Sequence, residues 1–131
     1  MMRPATFSRT QRLLMKQIIS TASLGILQGS HMMFADFTTG GDMWTGSGQR
    51  ERRHRVTFSD SFMTEPSVMV SISLWDMAQE TAVRADIAAE NVGIDGFDLV
   101  FRTWSDSRVA RIRADWLALG PMRAEDEWEV E

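Results

Sequence analysis

The sequence predicts an all-β domain, a six-stranded antiparallel β-sandwich with a short N-terminal helix. Three observations carry this prediction. Apolar and polar residues alternate with period two along four successive stretches in the second half of the chain, as they do in strands with one buried face. Turn residues separate those stretches at short intervals. The 131 residues make one domain, large enough for a core without covalent staples, and the chain contains no cysteine.

The elements follow in order. Residues 8–22 read as a helix, opened by the capping pattern Ser8-x-x-Gln11 and carrying Leu14, Met15, Ile18, Ile19 and Ala22 on one stripe. The segment 1–23 is therefore set apart from a sandwich over 24–120 and an acidic tail over 121–131. A first strand is expected over 24–37. A glycine-rich loop then contains Gly40, Gly41, Gly46 and Gly48, together with Asp42 and Trp44. Arg50-Glu51-Arg52-Arg53-His54-Arg55 leads into a second strand through Val56 and Phe58. Pro66 opens a third, with Val68, Val70, Ile72 and Leu74 on one face. The fourth is expected over 82–91, with Val83, Ala85, Ile87 and Ala89 inward and Arg84, Asp86 and Glu90 outward. The fifth buries Phe97, Leu99 and Phe101. The sixth, 108–119, places Ile112, Ala114 and Trp116 inward and Arg111, Arg113 and Asp115 outward. The predicted core is Phe58, Val68, Val70, Ile72, Val83, Ile87, Phe97, Leu99, Phe101 and Trp116.

Composition excludes several functions. Without cysteine there is no thiol nucleophile, no thiolate-bound zinc and no disulfide. The two histidines, His31 and His54, lack metal-ligand spacing, so no metal or other cofactor is expected. A net charge of −4 argues against a nucleic-acid partner. No apolar run reaches membrane-spanning length, and the start carries no classical export signal, so a cytoplasmic location or release by a non-classical route is expected. No nucleophile elbow and no phosphate loop is present. The chain therefore reads as a non-enzyme, with the acids Asp42 and Asp106 leaving glycan hydrolysis as the enzyme alternative.

The order Val56-x-Phe58, Phe62, Pro66-x-Val68-x-Val70-x-Ile72, Asp76, Arg84, Asn91-Val92, Gly96-Phe97, Thr103-Trp104 and Trp116-Leu117-Ala118 resembles the H-type lectin domain. This is the sugar-binding family of snail agglutinins and of the discoidin C-terminal domain. The resemblance covers roughly residues 45–120. It implies a six-stranded sandwich that assembles as a homotrimer and binds a galactose-like or N-acetylgalactosamine-like glycan at subunit boundaries, as in cell adhesion. It also implies that Arg84 and Trp104 hold the sugar. The family histidine after the tryptophan is Ser105 here, and the loop aspartate falls at Ser47, which leaves Asp106 or Asp42 to supply an acid.

The expected ligand site is therefore Arg84, Trp104, Ser105 and Asp106, closed by Gly46, Ser47 and Gly48 from a neighbouring chain. An arginine fork matches vicinal hydroxyls, and a tryptophan face packs on the C–H face of a pyranose. Each residue also has a plainer reading: Trp104 and Trp75 as packing, Trp44 as a site wall or subunit contact, Arg84 as an ion-pair partner, and Arg50–Arg55 as a solvated strand start. Two functions stay open. One is a trimeric lectin for a hexose or N-acetylhexosamine. The other is an assembly trimer, such as a component of a phage-like particle, that keeps the fold without binding sugar. In either trimer, Arg84, Asp86, Arg111, Arg113 and Asp115 are expected to pair across chains.

Overall fold

A computed structural model describes residues 16–19 and 23–124. Among them, β1 (Leu24–Phe34) is followed by two single-turn helices, α1 (Asp36–Thr39) and α2 (Asp42–Thr45). Then come β2 (Arg50–Thr57), β3 (Ser67–Met77), β4 (Asp86–Glu90), β5 (Gly96–Thr103) and β6 (Val109–Pro121). They form two three-stranded antiparallel sheets, ordered β1-β6-β3 and β2-β5-β4. The first strand thus pairs with the last, from Leu24 opposite Pro121 to Phe34 opposite Ile112, closing one sheet with the two ends of the described domain.

The alternation predicted from sequence sets the two inner faces. Phe58, Phe97 and Leu99 are buried with Ala114 and Ala118, while Val68, Val70, Ile87 and Trp116 pack against them half-buried. Phe58, Phe62, Phe97 and Trp116 form an aromatic group with edge-to-face and tilted contacts at 5.2–5.9 Å. A glycine is required at position 29, because a Cβ there would stand 2.8 Å from the Trp116 ring. Nearer the helices, a second group buries Phe34, Met43, Phe101, Val109 and Ile112, with Ile72 against it.

Several expectations change. The helix over 8–22 lies almost wholly outside the described residues; those within it, 16–19, belong to no regular element. The first strand ends at Phe34, not 37; α1 takes the residues up to Thr39, and α2 lies within the glycine-rich loop. The fourth strand starts at Asp86, and Val83 is 50% exposed rather than core. The cause is local. The Ala82 amide donates to the Asp106 carboxylate and the Arg84 amide to Ser107 Oγ, while the Arg84 carbonyl accepts from Thr103 Oγ1. Side chains of the 103–107 turn thus take backbone groups that a strand would offer to a ladder.

The charged strand residues expected to pair across chains divide between the two sheets. Asp86 sits in the β2-β5-β4 sheet, whereas Arg111, Arg113 and Asp115 lie on β6 in the other. The latter three also find partners within the chain: Arg111 pairs with Asp76, Arg113 donates to Ser73, and Asp115 accepts from Ser30 and Ser73. Trp75 is 57% exposed instead of packed. It stands opposite Ile112 in the ladder, out of phase with the outward pair Asp76 and Arg111, whereas Ile26, Met32 and Met69 lie on the outer side of the β1-β6-β3 sheet.

Candidate functional site

One end of the β2-β5-β4 sheet collects the features that the sequence singles out. Arg50, at the start of β2, is in phase with Arg52, His54 and Val56, so its side chain enters the sandwich. It is buried, and its fork donates only to main-chain carbonyls. Nε reaches the Gly48 oxygen (2.9 Å) and one terminal nitrogen reaches those of Asp42 and Met43 (3.2 Å each). The other reaches Ser105 (3.4 Å) and Ser107 (2.8 Å). A single guanidinium therefore ties α2, the Gly48 loop and the 105–107 turn together. The Gly48 amide adds a hydrogen bond to the Ser105 carbonyl at 2.8 Å. Both residues have positive φ, +80° at Gly48 and +65° at Ser105.

Next inward, Arg52 makes a two-pronged pair with buried Asp36 (3.1 and 2.8 Å) and also reaches Asp42. Burial pushes the Asp36 carboxyl up, but the hydrogen bonds from Arg52 and the Met43 amide outweigh it and bring the group below the usual carboxylate range. Trp44 packs edge-on to Phe37 and under the Arg108 guanidinium, 4.3 Å from its ring centre. Within its own chain it is a packing residue.

Beside this stapled end, an open groove of about 650 Å³ runs over the outer side of the sheet. Gln49 and Glu51 form one wall, Ala85 and Asp86 the other, and Arg102 and Trp104 line it between. Trp104 is 40% exposed, so a ring face is available to a ligand. Beyond the groove the charges on this sheet interlock. Arg102 bridges Glu51 (3.0 Å) and Glu90 (2.8 Å). Arg53 joins Glu90, Asp98 and Glu51, and Arg55 joins Asp98. The hydrogen bond from Arg102, supported by that from Arg53, holds Glu90 below the usual carboxylate range. Asn91 and then Arg55 and Arg53 do the same for Asp98.

Of the seven predicted site residues, Trp104 lines the groove. Arg84 precedes Ala85 at its margin; its side chain is exposed, and its guanidinium has no hydrogen bond or ion pair among the described residues. Ser105 uses its carbonyl on Gly48 and Arg50. Asp106 commits a carboxylate oxygen to Ala82. Gly46 closes α2 through a hydrogen bond to the Asp42 carbonyl, and Ser47 is exposed. Sequence reasoning missed Gln49, Glu51, Asp86 and Arg102 as groove residues. The signal was strand phase: Glu51 and Asp86 both stand opposite Arg102 in the ladders, which puts all three on one sheet face.

This arrangement has relatives. A protein of Fuscovulum blasticum called ATP synthase subunits region ORF 7 is 53% identical over 110 residues, 84% of this chain and 96% of that protein. A discoidin-1 chain of Dictyostelium discoideum is 37% identical over 87 residues, 64% of this chain. The matched part is 34% of the discoidin's own length. The solved structure of recombinant discoidin II from the same organism superposes with a TM-score of 0.66 at 23% identity, over 79% of this chain and 40% of that one, and shares the fold. The H-type lectin domain matches residues 53–119, from within β2 to β6. With its two antiparallel sheets, its aromatic core and a match over half its length, the chain belongs to the H-type lectin domain family.

Proposed function

We propose that this domain is a carbohydrate-binding module that takes a hexose or N-acetylhexosamine, reversibly and without a metal, at the Trp104 end of the sandwich. The observation that carries the reading is the half-exposed Trp104 ring in a polar groove, with the unpaired Arg84 guanidinium at its margin. Trp104 walls the sugar and Arg84 donates to its hydroxyls. Ser105 and Asp106 contribute from the turn. Gly46, Ser47 and Gly48 close the site at a subunit boundary. Membership of the lectin family supports the same chemistry.

The module works as a homotrimer, so that three weak sites engage a glycan-coated surface together. Support comes from the outer side of the β1-β6-β3 sheet, where Leu24, Ile26, Met32 and Met69 stand exposed around a polar centre at Ser30, Ser73 and Asp115. A broad glycan array tests the sugar site. The wild type is expected to bind, and Arg84→Ala and Trp104→Ala to lose binding while remaining folded by circular dichroism. A wild type that binds nothing favours the second reading, an assembly trimer that keeps the lectin fold. The observation on that side is the internal use of the Asp106 carboxylate, bonded to Ala82 and so partly withdrawn from a ligand.

A further inference from the structure

The donors and acceptors of the Trp104 groove narrow the ligand beyond "a sugar". Two arginines and two carboxylates line it. Both arginines are committed. Arg50 gives its fork to five main-chain carbonyls. Arg102 is held between Glu51 and Glu90. Glu51 is committed too, with one oxygen on Arg102 and the other on Arg53. Asp86 differs. Its Cα stands opposite that of Arg102, yet Arg102 turns to the two glutamates instead. Among the described residues the Asp86 carboxylate enters no hydrogen bond or ion pair. It is a half-buried acceptor with no partner among the described residues, lining the same groove as the Trp104 ring, and the cations of that lining are occupied.

A group that enters such a groove is held by donating. Hydroxyls suffice, and an ammonium does better, because it donates a charge-assisted hydrogen bond to Asp86 and is attracted to the face of Trp104. A ring carboxylate meets Asp86 with like charge and finds no free cation in the groove lining. Arg84, whose guanidinium has no partner among the described residues, stands at the margin, outside that lining. We propose that Asp86 is the specificity-determining acceptor of the groove, and that the groove prefers a hexosamine with a free 2-ammonium over its N-acetyl and uronic-acid counterparts. This rests on the carbohydrate-binding reading above and adds the ligand's chemical class.

Isothermal titration of the full chain with galactosamine, N-acetylgalactosamine and galacturonic acid, under conditions that keep the amine charged, tests it. Galactosamine is expected to bind about tenfold more tightly than the other two, the size of one charge-assisted hydrogen bond. Added salt should erode that margin. Asp86→Asn, checked for folding by its thermal melt, should bring galactosamine down to the level of the N-acetyl sugar. The wild-type ranking and its salt dependence stand as tests even if that variant fails to fold. Galacturonic acid binding as tightly as galactosamine would overturn the proposal and give specificity to Arg84. So would a preference that persists in folded Asp86→Asn. Equal binding of all three sugars overturns the proposal but leaves the lectin reading standing. Binding of none of them, with a blank glycan array, overturns both.

Discussion

Arg50 shows how much one side chain decides in a small sandwich. It sits in a run of four arginines between positions 50 and 55, and composition alone treats the run as a solvated strand start. Strand phase separates its members: Arg53 and Arg55 face outward, whereas Arg50 and Arg52 turn inward and fasten the helices and the turn. Arg50→Ala leaves several buried carbonyls without donors, and each unsatisfied group costs about 1–3 kcal/mol. We expect a stability loss of about 3 kcal/mol in urea unfolding, together with weaker glycan binding as the Gly48–Ser105 contact loosens. Arg50→Lys should recover little, because one ammonium cannot span carbonyls on three segments. A loss under about 0.5 kcal/mol would mean that the fork is dispensable.

At the scale of elements, the two sheets meet along a side where β1 faces β2, and the histidines mark the seam. The His31 and His54 rings stack with centroids 3.6 Å apart and planes within 8°. Burial, and then the neighbouring His54 charge, lower the His31 pKa from its ordinary 6.5. The folded state therefore binds a proton less readily than the unfolded chain does. His31's contribution to stability is fully present above about pH 6.5 and is lost as pH falls below it. The melting temperature should drop on acidification through that range, and less so in His54→Gln, which removes the second charge. An unchanged slope in that variant would count against the coupling. The inner face of β1 and β6 shows a packing constraint as well. Gly29→Ala forces a methyl group into the Trp116 ring, and overpacking of this kind costs about 1–3 kcal/mol, readable in the same urea experiment.

At the scale of the molecule, the sandwich exposes two outer sheet sides of opposite character. The β2-β5-β4 side is a lattice of arginines and carboxylates from Glu51 to Asp98, charges already paired within the chain. The β1-β6-β3 side exposes Ile26 (58%) and Met69 (68%). Such an apolar sheet face is stabilised when another copy covers it. If the domain assembles through this face as proposed, Met69→Glu combined with Ile26→Glu converts a trimer to folded monomers, read as mass by light scattering. If the wild type is already monomeric at micromolar concentration, the trimer is wrong.

Much of the fold is legible in the chain because period-two alternation reports which face of a strand is buried. It places Phe58, Phe97, Leu99 and Phe101 in the core, and the structure buries all four. Motif order along the chain is enough to recognise the family. The alternation also continues through Val83, and there it misleads, because it cannot report that Thr103, Asp106 and Ser107 side chains take the backbone groups of 82–84. Of the groove lining, the sequence singles out Trp104, with Arg84 at the margin. The groove itself depends on which residues stand opposite one another across ladders between strands far apart in sequence, as Glu51 and Asp86 do with Arg102. It depends further on which of those charges find partners. Alternation along one strand determines burial, because that is a property of the strand's own face. Pairing between strands determines the chemistry of the groove, because whether a carboxylate is paired or free is decided by neighbours that only the folded chain brings within reach.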